Sequence, residues 1–169
     1  MSVESNRSGG EHLEKRSELL RTEGGIRQLK DILVVEDEER DADRIQGTLR
    51  LMIGYSGLEV RTASTISTAV DAVLERQPQL ILLDDALKPS DTATDTIPFL
   101  HRAGYDGPIV VISGQVTRRR RTELMAAGAT DVIHKDDVES VRIRECLAKI
   151  FPDAPVPAPP TTQPAKGKL

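Results

Sequence analysis

Two acidic clusters, a hydroxyl and a lysine each stand at the end of a short apolar run. Glu36, Asp37 and Glu38 follow DILVV, and Asp84 and Asp85 follow LILL. Ser113 and Gly114 close PIVVI, and Lys135 closes DVIH. Gathered carboxylates are costly, since two unit charges about 4 Å apart at an effective dielectric near 20 repel by roughly 4 kcal/mol. Either their pKa values rise or a hard cation neutralises them. A few carboxylates, waters and a phosphate oxygen commonly hold Mg²⁺. A serine hydroxyl and a lysine ammonium beside them can receive phosphoryl oxygens. The residue types therefore suggest Mg²⁺-assisted phosphoryl transfer to a carboxylate.

That chemistry requires the runs to end at one place, and the pattern between them supplies the means. DILVVE (31–36), LEVRTA (58–63), LILL (80–83), PIVVIS (108–113) and DVIHK (131–135) read as strands. Helical spacing fills the gaps. It runs over 39–52 through Ala42, Ile45, Leu49 and Met52, and from Ile66 to Leu74 before Pro78. Further helices are expected around 95–103 ahead of Gly104, over 118–127 and over 138–151. The apolar runs are continuous rather than alternating, as in parallel strands covered on both faces. Five strands alternating with five helices imply an α/β, doubly wound parallel sheet built from right-handed crossovers. Ligands of such sheets lie beyond the carboxyl ends of the strands, where the two acidic clusters, Ser113 and Lys135 would meet.

Composition narrows the setting. Of 169 residues, 38% are hydrophobic and 30% charged, ordinary values for a globular protein. Aromatic residues make up 2%, too few for base-stacking platforms. The formal net charge of −4 argues further against a general nucleic-acid binder, so no DNA partner is expected. Cys146 is the only cysteine, which excludes an internal disulfide and suits a reducing cytoplasm. No apolar run approaches the roughly 20 residues that span a bilayer, so no membrane association is expected. Residues 1–28 read as a partly disordered extension with a short helix over 11–22. Residues 29–151 read as the folded domain, and 152–169 as a disordered Pro-rich tail.

The region 31–151 resembles the receiver domain of two-component response regulators. The resemblance rests on the acidic pair in ILVVEDEE, the strand-end aspartate in PQLILLD, the hydroxyl in PIVVISG and the lysine in AGATDVIHK. It implies a flavodoxin-like fold with strand order 2-1-3-4-5. It also implies Mg²⁺-dependent acceptance of a phosphoryl group from a histidine kinase or histidine phosphotransfer protein, followed by hydrolysis of the aspartyl phosphate. By position, Asp84 is the implied phosphoacceptor and a metal ligand. Glu36, Asp37 and the Ala86 backbone carbonyl are the implied further Mg²⁺ ligands. Ser113 would hydrogen-bond a phosphoryl oxygen, and Lys135 would pair with the carboxylate and later with the phosphoryl group. No other cofactor is implied.

Asp84 is preferred to Asp85 because it holds the family's acceptor position. Neighbouring residues at a strand end also point to opposite sides, so only one can aim at the metal. Asp85 is expected to be a solvated loop carboxylate. Some positions depart from the family pattern. Val132 stands where many receivers have an aromatic switch, Asp136 stands where proline is usual, and loop 86–96 is long and polar. Of the residues that tune dephosphorylation, Ala86 cannot position a water, whereas Gln115 could orient one or shield the phosphoryl group. The run TRRRR (117–121) opens the fourth helix against its dipole. It reads first as a solvated basic face and second as a docking patch. His101, His134 and Cys146 are expected to be structural.

A haloacid-dehalogenase-type phosphatase would need an acid where Ala86 stands, and a nucleotide-binding domain would need glycines where EDEERD stands. The expectation is a stand-alone, cytoplasmic response regulator, since nothing after residue 151 could form an output domain. It would act by phosphorylation-dependent partner binding, through the face of the fourth helix, fifth strand and fifth helix, or as a phosphate sink. It would not be an enzyme beyond its own phosphorylation and dephosphorylation. The competing expectation is a receiver-fold binding module that signals without phosphorylation.

Overall fold

A computed structural model describes residues 25–152 except 27, 55 and 56. The expected helix over 11–22 and almost all of the Pro-rich tail lie outside the described residues. In chain order the elements are β1 (Asp31–Val35), α1 (Glu39–Ile53), β2 (Glu59–Ala63), α2 (Ile66–Glu75) and β3 (Leu80–Asp84). A two-stranded hairpin follows, β4 (Ala86–Leu87) and β5 (Asp91–Thr92), then α3 (Ala93–Arg102). The remainder is β6 (Ile109–Ser113), α4 (Arg118–Ala127), β7 (Asp131–His134), a 3₁₀ turn (Lys135–Asp137) and α5 (Val141–Ile150).

Five strands make one parallel sheet in the order β2-β1-β3-β6-β7, the expected order once the hairpin is set aside. Side chains alternate across a strand, and here that parity sorts the core into two layers. Ile32, Val34, Leu80, Leu82, Val110, Ile112 and Ile133 pack with Ile45 and Leu49 of α1 and Ile143 and Leu147 of α5. Leu33, Val35, Ile81, Leu83, Ile109, Val111 and Val132 pack with α2, α3 and α4 through Val73, Ile97, Leu100 and Leu124. The packing begins ahead of the expected boundary at residue 29, because Ile26 lies in the first layer.

The helix ends follow local chemistry. Thr117 caps α4 by accepting from the Arg120 N–H at 3.1 Å, and Thr65 caps α2 in the same way from Thr68 at 3.1 Å. Gly128 ends α4 with φ of +117°, a left-handed conformation that favours glycine. A Cβ there would also lie 2.7 Å from His101 Cε1. At the amino edge of the sheet, Arg61 donates to both Asp31 oxygens (3.0 and 3.1 Å) and to the Ala72 and Arg76 carbonyls (both 2.7 Å). Arg76 adds a 2.7 Å bond to Asp31. This cluster fastens the carboxyl end of α2, where unpaired carbonyls need donors, to β1 and β2.

Segment 86–96 differs from the expected long polar loop. It pairs into the β4–β5 hairpin, buries Leu87, and α3 starts at Ala93 rather than near 95. Two-residue strands are too short to show an alternation in sequence. The last helix likewise starts at Val141, after the 3₁₀ turn, with Ser140 accepting from the Arg142 N–H at 3.1 Å.

Candidate phosphoacceptor site

The strand ends of β1, β3, β6 and β7 are level. Val35 is paired with Leu83, Asp84 with Ile112, and Ser113 with His134. The residues that follow the apolar runs therefore share one edge, as expected. Parity then divides them. Glu36, Asp84 and Lys135 continue the even or odd series that faces α1 and α5, whereas Asp85 and Ser113 continue the series that faces α3 and α4.

On the α1/α5 side the chain gathers carboxylates around one ammonium. Asp84 is only 3% exposed and Glu36 4%. Lys135 Nζ lies 3.3 Å from Asp84 Oδ1, 3.7 Å from Glu36 Oε2 and 3.6 Å from Asp41 Oδ2. The Ala86 N–H donates to Asp84 Oδ1 at 3.3 Å, and the Glu38 N–H donates to Glu36 Oε1 at 3.0 Å. Burial pushes Glu36 up to about 7, and the neighbouring Asp84 charge pushes the same way. Burial also raises Asp84, against the pull of Lys135. Burial disfavours the Lys135 charge, but Asp84 and Glu36 outweigh it and hold its pKa above the ordinary lysine value.

One ammonium does not satisfy these groups. Glu36 Oε2 is buried and has no hydrogen-bond partner among the described residues. A buried carboxylate oxygen in that state is costly unless something else neutralises it. Glu36, half-buried Asp37 and Asp84 each offer an oxygen, all within 4.8 Å of one another. An all-oxygen, anionic donor set of this kind fits a hard divalent cation. Lys88 closes the outer side of the cluster. Its N–H donates to Asp37 Oδ2 at 3.2 Å and its Nζ lies 3.7 Å from Glu38.

On the α3/α4 side the structure corrects the expectation for Asp85. It is not a solvated loop carboxylate, since its side chain is 13% exposed and fully engaged. Arg120 of α4 grips both oxygens, from Nε to Oδ2 at 2.9 Å and from Nη2 to Oδ1. The Ser113 hydroxyl donates to Asp85 Oδ2 at 3.0 Å, with the Gln115 carbonyl a second acceptor at 3.2 Å. Burial works to raise Asp85, but the hydrogen bonds from Arg120 and Ser113 outweigh it and hold its pKa below the usual carboxylate value. The hydrogen bonds of Ser113 thus go to Asp85 and Gln115, while Lys135 and the metal-type ligands collect at Asp84. Sequence reasoning missed Asp41 and Arg120. Asp41 stood within the acidic run EDEERD, and Arg120 within the arginine run.

The arginine run is likewise not simply a solvated basic face. Arg120 holds Asp85, Arg121 holds Asp131 (2.6 Å) and the Val132 carbonyl (3.1 Å), and Arg119 pairs with Glu123 at 3.0 Å. His134 is structural, accepting from the Asp136 N–H at Nδ1 (3.1 Å) and reaching the Gly114 carbonyl from Nε2 (3.0 Å). His101 packs against Gly128, and Cys146 is buried and free.

The three acids Glu36, Asp37 and Asp84, the last at the end of β3, thus face Lys135 across the crevice. Residues 32–147 match the response regulator receiver domain. The chain belongs to that family. The receiver is 31% identical over 104 residues to the transcriptional regulatory protein KdpE of Mycobacterium tuberculosis, covering 62% of this chain and 43% of KdpE. It is 26% identical over 134 residues to the response regulator MprA of a Mycobacterium species, covering 78% of this chain and 56% of MprA. The chain thus spans about half the length of the curated relatives it matches. Among solved structures, the receiver domain of NtrX from Brucella abortus is 28% identical with a TM-score of 0.57, covering 70% of this chain and 98% of that one. The chemotaxis protein CheY4 of Vibrio cholerae, 20% identical with a TM-score of 0.61 over 73% of this chain and 99% of that one, shares the fold. Among the described residues of the receiver, no helix is long and apolar enough to cross a membrane.

Proposed function

We propose that this receiver accepts a phosphoryl group on Asp84, with Mg²⁺ held by Glu36, Asp37, Asp84 and the Ala86 carbonyl. The donor is a histidine kinase or histidine phosphotransfer protein. The observation that carries the reading is the buried Asp84 carboxylate, 3.3 Å from Lys135 and beside an unsatisfied Glu36 oxygen. An Asp84 oxygen forms the new O–P bond as the N–P bond of a phosphohistidine breaks, and the departing imidazole takes its proton from solvent. Bound Mg²⁺ supplies the positive charge that lets carboxylates and a phosphoryl group crowd together. Lys135 supplies further charge, and Ser113 offers its hydroxyl to a phosphoryl oxygen. Water later cleaves the aspartyl phosphate. The chemistry is directed at the protein itself, so the receiver turns over no separate substrate.

The phosphorylated form acts in the cytoplasm by binding a protein partner through the face of α4, β7 and α5, or drains phosphoryl groups as a sink. Two features support that face. Met125 of α4 and Val141 of α5 are exposed apolar side chains, and Arg118 and Arg119 stand at the start of α4. A protein partner suits the chain better than DNA, because the net charge is −4 and three of the four arginines of α4 are paired with carboxylates.

Intact mass after incubation with Mg²⁺ and acetyl phosphate tests the acceptor. The wild type and Asp85→Asn should gain one phosphoryl group, and Asp84→Asn should gain none. Labelling that survives Asp84→Asn would overturn the assignment. A wild type that neither labels nor responds to beryllofluoride would instead be a binding module that signals without phosphorylation.

A further inference from the structure

The Ser113 hydroxyl has one proton, and its nearest acceptor is Asp85 Oδ2 at 3.0 Å. Asp85 is itself bolted into the framework. Its N–H donates to the Ile112 carbonyl at 2.9 Å, its carbonyl accepts from the first residue of α3 at 3.1 Å, and both carboxylate oxygens are held by Arg120. Arg120 is the third residue of α4 and also pairs with Glu123 at 3.2 Å, so it ties Asp85 to that helix. Ser113 is buried and Asp85 half-buried on the α3/α4 side, and Arg120 is 22% exposed. No aromatic side chain stands at Val132 to link the strand edge to the helices. A polar chain from Ser113 through Asp85 to Arg120 does so instead.

We propose that Asp85 and Arg120 are positioning residues that form a latch, holding the Ser113 hydroxyl away from Asp84 and coupling its release to α4. The proposal rests on the reading of Asp84 as phosphoacceptor. On the proposed role of Ser113, a phosphoryl group on Asp84 offers its hydroxyl a second anionic acceptor, and the single proton can serve only one of the two. When it turns to the phosphoryl oxygen, Asp85 loses a donor and keeps only Arg120, and the Arg120–Asp85 geometry, with α4 attached, readjusts. Sequence position alone makes Asp85 the neighbour of the acceptor. Parity makes it the partner of Ser113.

The test uses the full chain with Mg²⁺ and beryllofluoride, reading bound fluoride by ¹⁹F NMR and the amides of α4 by ¹⁵N NMR. In the wild type, beryllofluoride should shift the amides of Ser113, Gln115 and α4. Asp85→Asn and Arg120→Gln should keep the bound-fluoride signal while the α4 shifts fall by about half or more. A neutral amide accepts a hydrogen bond roughly half as strongly as a carboxylate, so Asp85→Asn should tighten half-saturation by about three- to tenfold. In a Ser113→Ala background the same change should move it by less than about twofold, because the effect passes through the hydroxyl. An equal effect of Asp85→Asn in both backgrounds would reduce Asp85 to a through-space charge and overturn the latch. So would α4 shifts that stay at wild-type size in both variants while fluoride binds. Arg120→Gln, at a partly exposed position, carries the α4 arm if Asp85→Asn fails to fold. A wild type that binds no beryllofluoride would bring down the acceptor reading, and the latch with it.

Discussion

Lys135 Nζ lies 3.3 Å from Asp84 Oδ1, a contact that closes the crevice between the end of β3 and the turn after β7. The same ammonium reaches Glu36 and Asp41, so one lysine neutralises part of a three-carboxylate cluster. Lys135→Met should leave that cluster under-compensated and destabilise the metal-free protein by about 1–3 kcal/mol. That is less than the loss of one partner in a fully buried pair, because Lys135 is partly solvated. Chemical denaturation in EDTA measures it. Acetyl phosphate labelling of the variant should fall sharply, and excess Mg²⁺ should recover stability better than labelling.

Glu36 gives the metal-free protein a pH dependence of stability. Its folded pKa is pushed up to about 7 by burial, above its ordinary value of 4.5. Between those values the unfolded chain has released the proton and the folded protein retains it, so stability falls as pH rises through that window and levels off above about 7. The slope from this group is at most about 1.4 kcal/mol per pH unit. Urea denaturation from pH 4.5 to 8 in EDTA should show the decline, and Glu36→Gln should flatten it. A wild-type curve that rises across the same window would refute the assignment.

Mg²⁺ should stabilise the wild type through mass action, by about 2.7 kcal/mol at a concentration one hundred times its Kd. Asp37 is half-buried and contributes little to the core, so Asp37→Ala should keep the metal-free melting temperature within a few degrees. It should nevertheless lose most of the Mg²⁺-induced rise. Calorimetry with and without Mg²⁺ checks both halves.

Arg61 lies at the opposite edge of the sheet, and its effects should separate from the site. Arg61→Ala removes the donors to Asp31 and to the last carbonyls of α2, with an expected cost of about 2–4 kcal/mol. Arg61→Lys should recover only part of this, because an ammonium cannot reproduce the guanidinium fork. Acetyl phosphate labelling under folded conditions should be unchanged in both.

Much of this was legible in the sequence because parallel strands covered on both faces announce themselves as continuous apolar runs. ILVV, LILL and IVVI located three of the five parallel strands directly, and the residues after them named the site. What escaped was short or paired at a distance. The β4–β5 hairpin has too few residues to show a period, and α3 begins inside a stretch that reads as loop. The arginine run reads as surface because sequence does not show that Asp85 and Asp131 await two of its members.

The doubled aspartate shows where the division falls. Sequence alone determined that two carboxylates end a buried strand, because strand length and the residue types around it are local properties. It also contained the parity that sends Asp84 and Asp85 to opposite layers. Only the tertiary structure decided what each would meet, since Lys135 lies 51 residues from Asp84 and Arg120 lies 35 from Asp85. Side-chain direction is written in the strand, but the partner waiting in that direction is set by how the helices pack against the sheet.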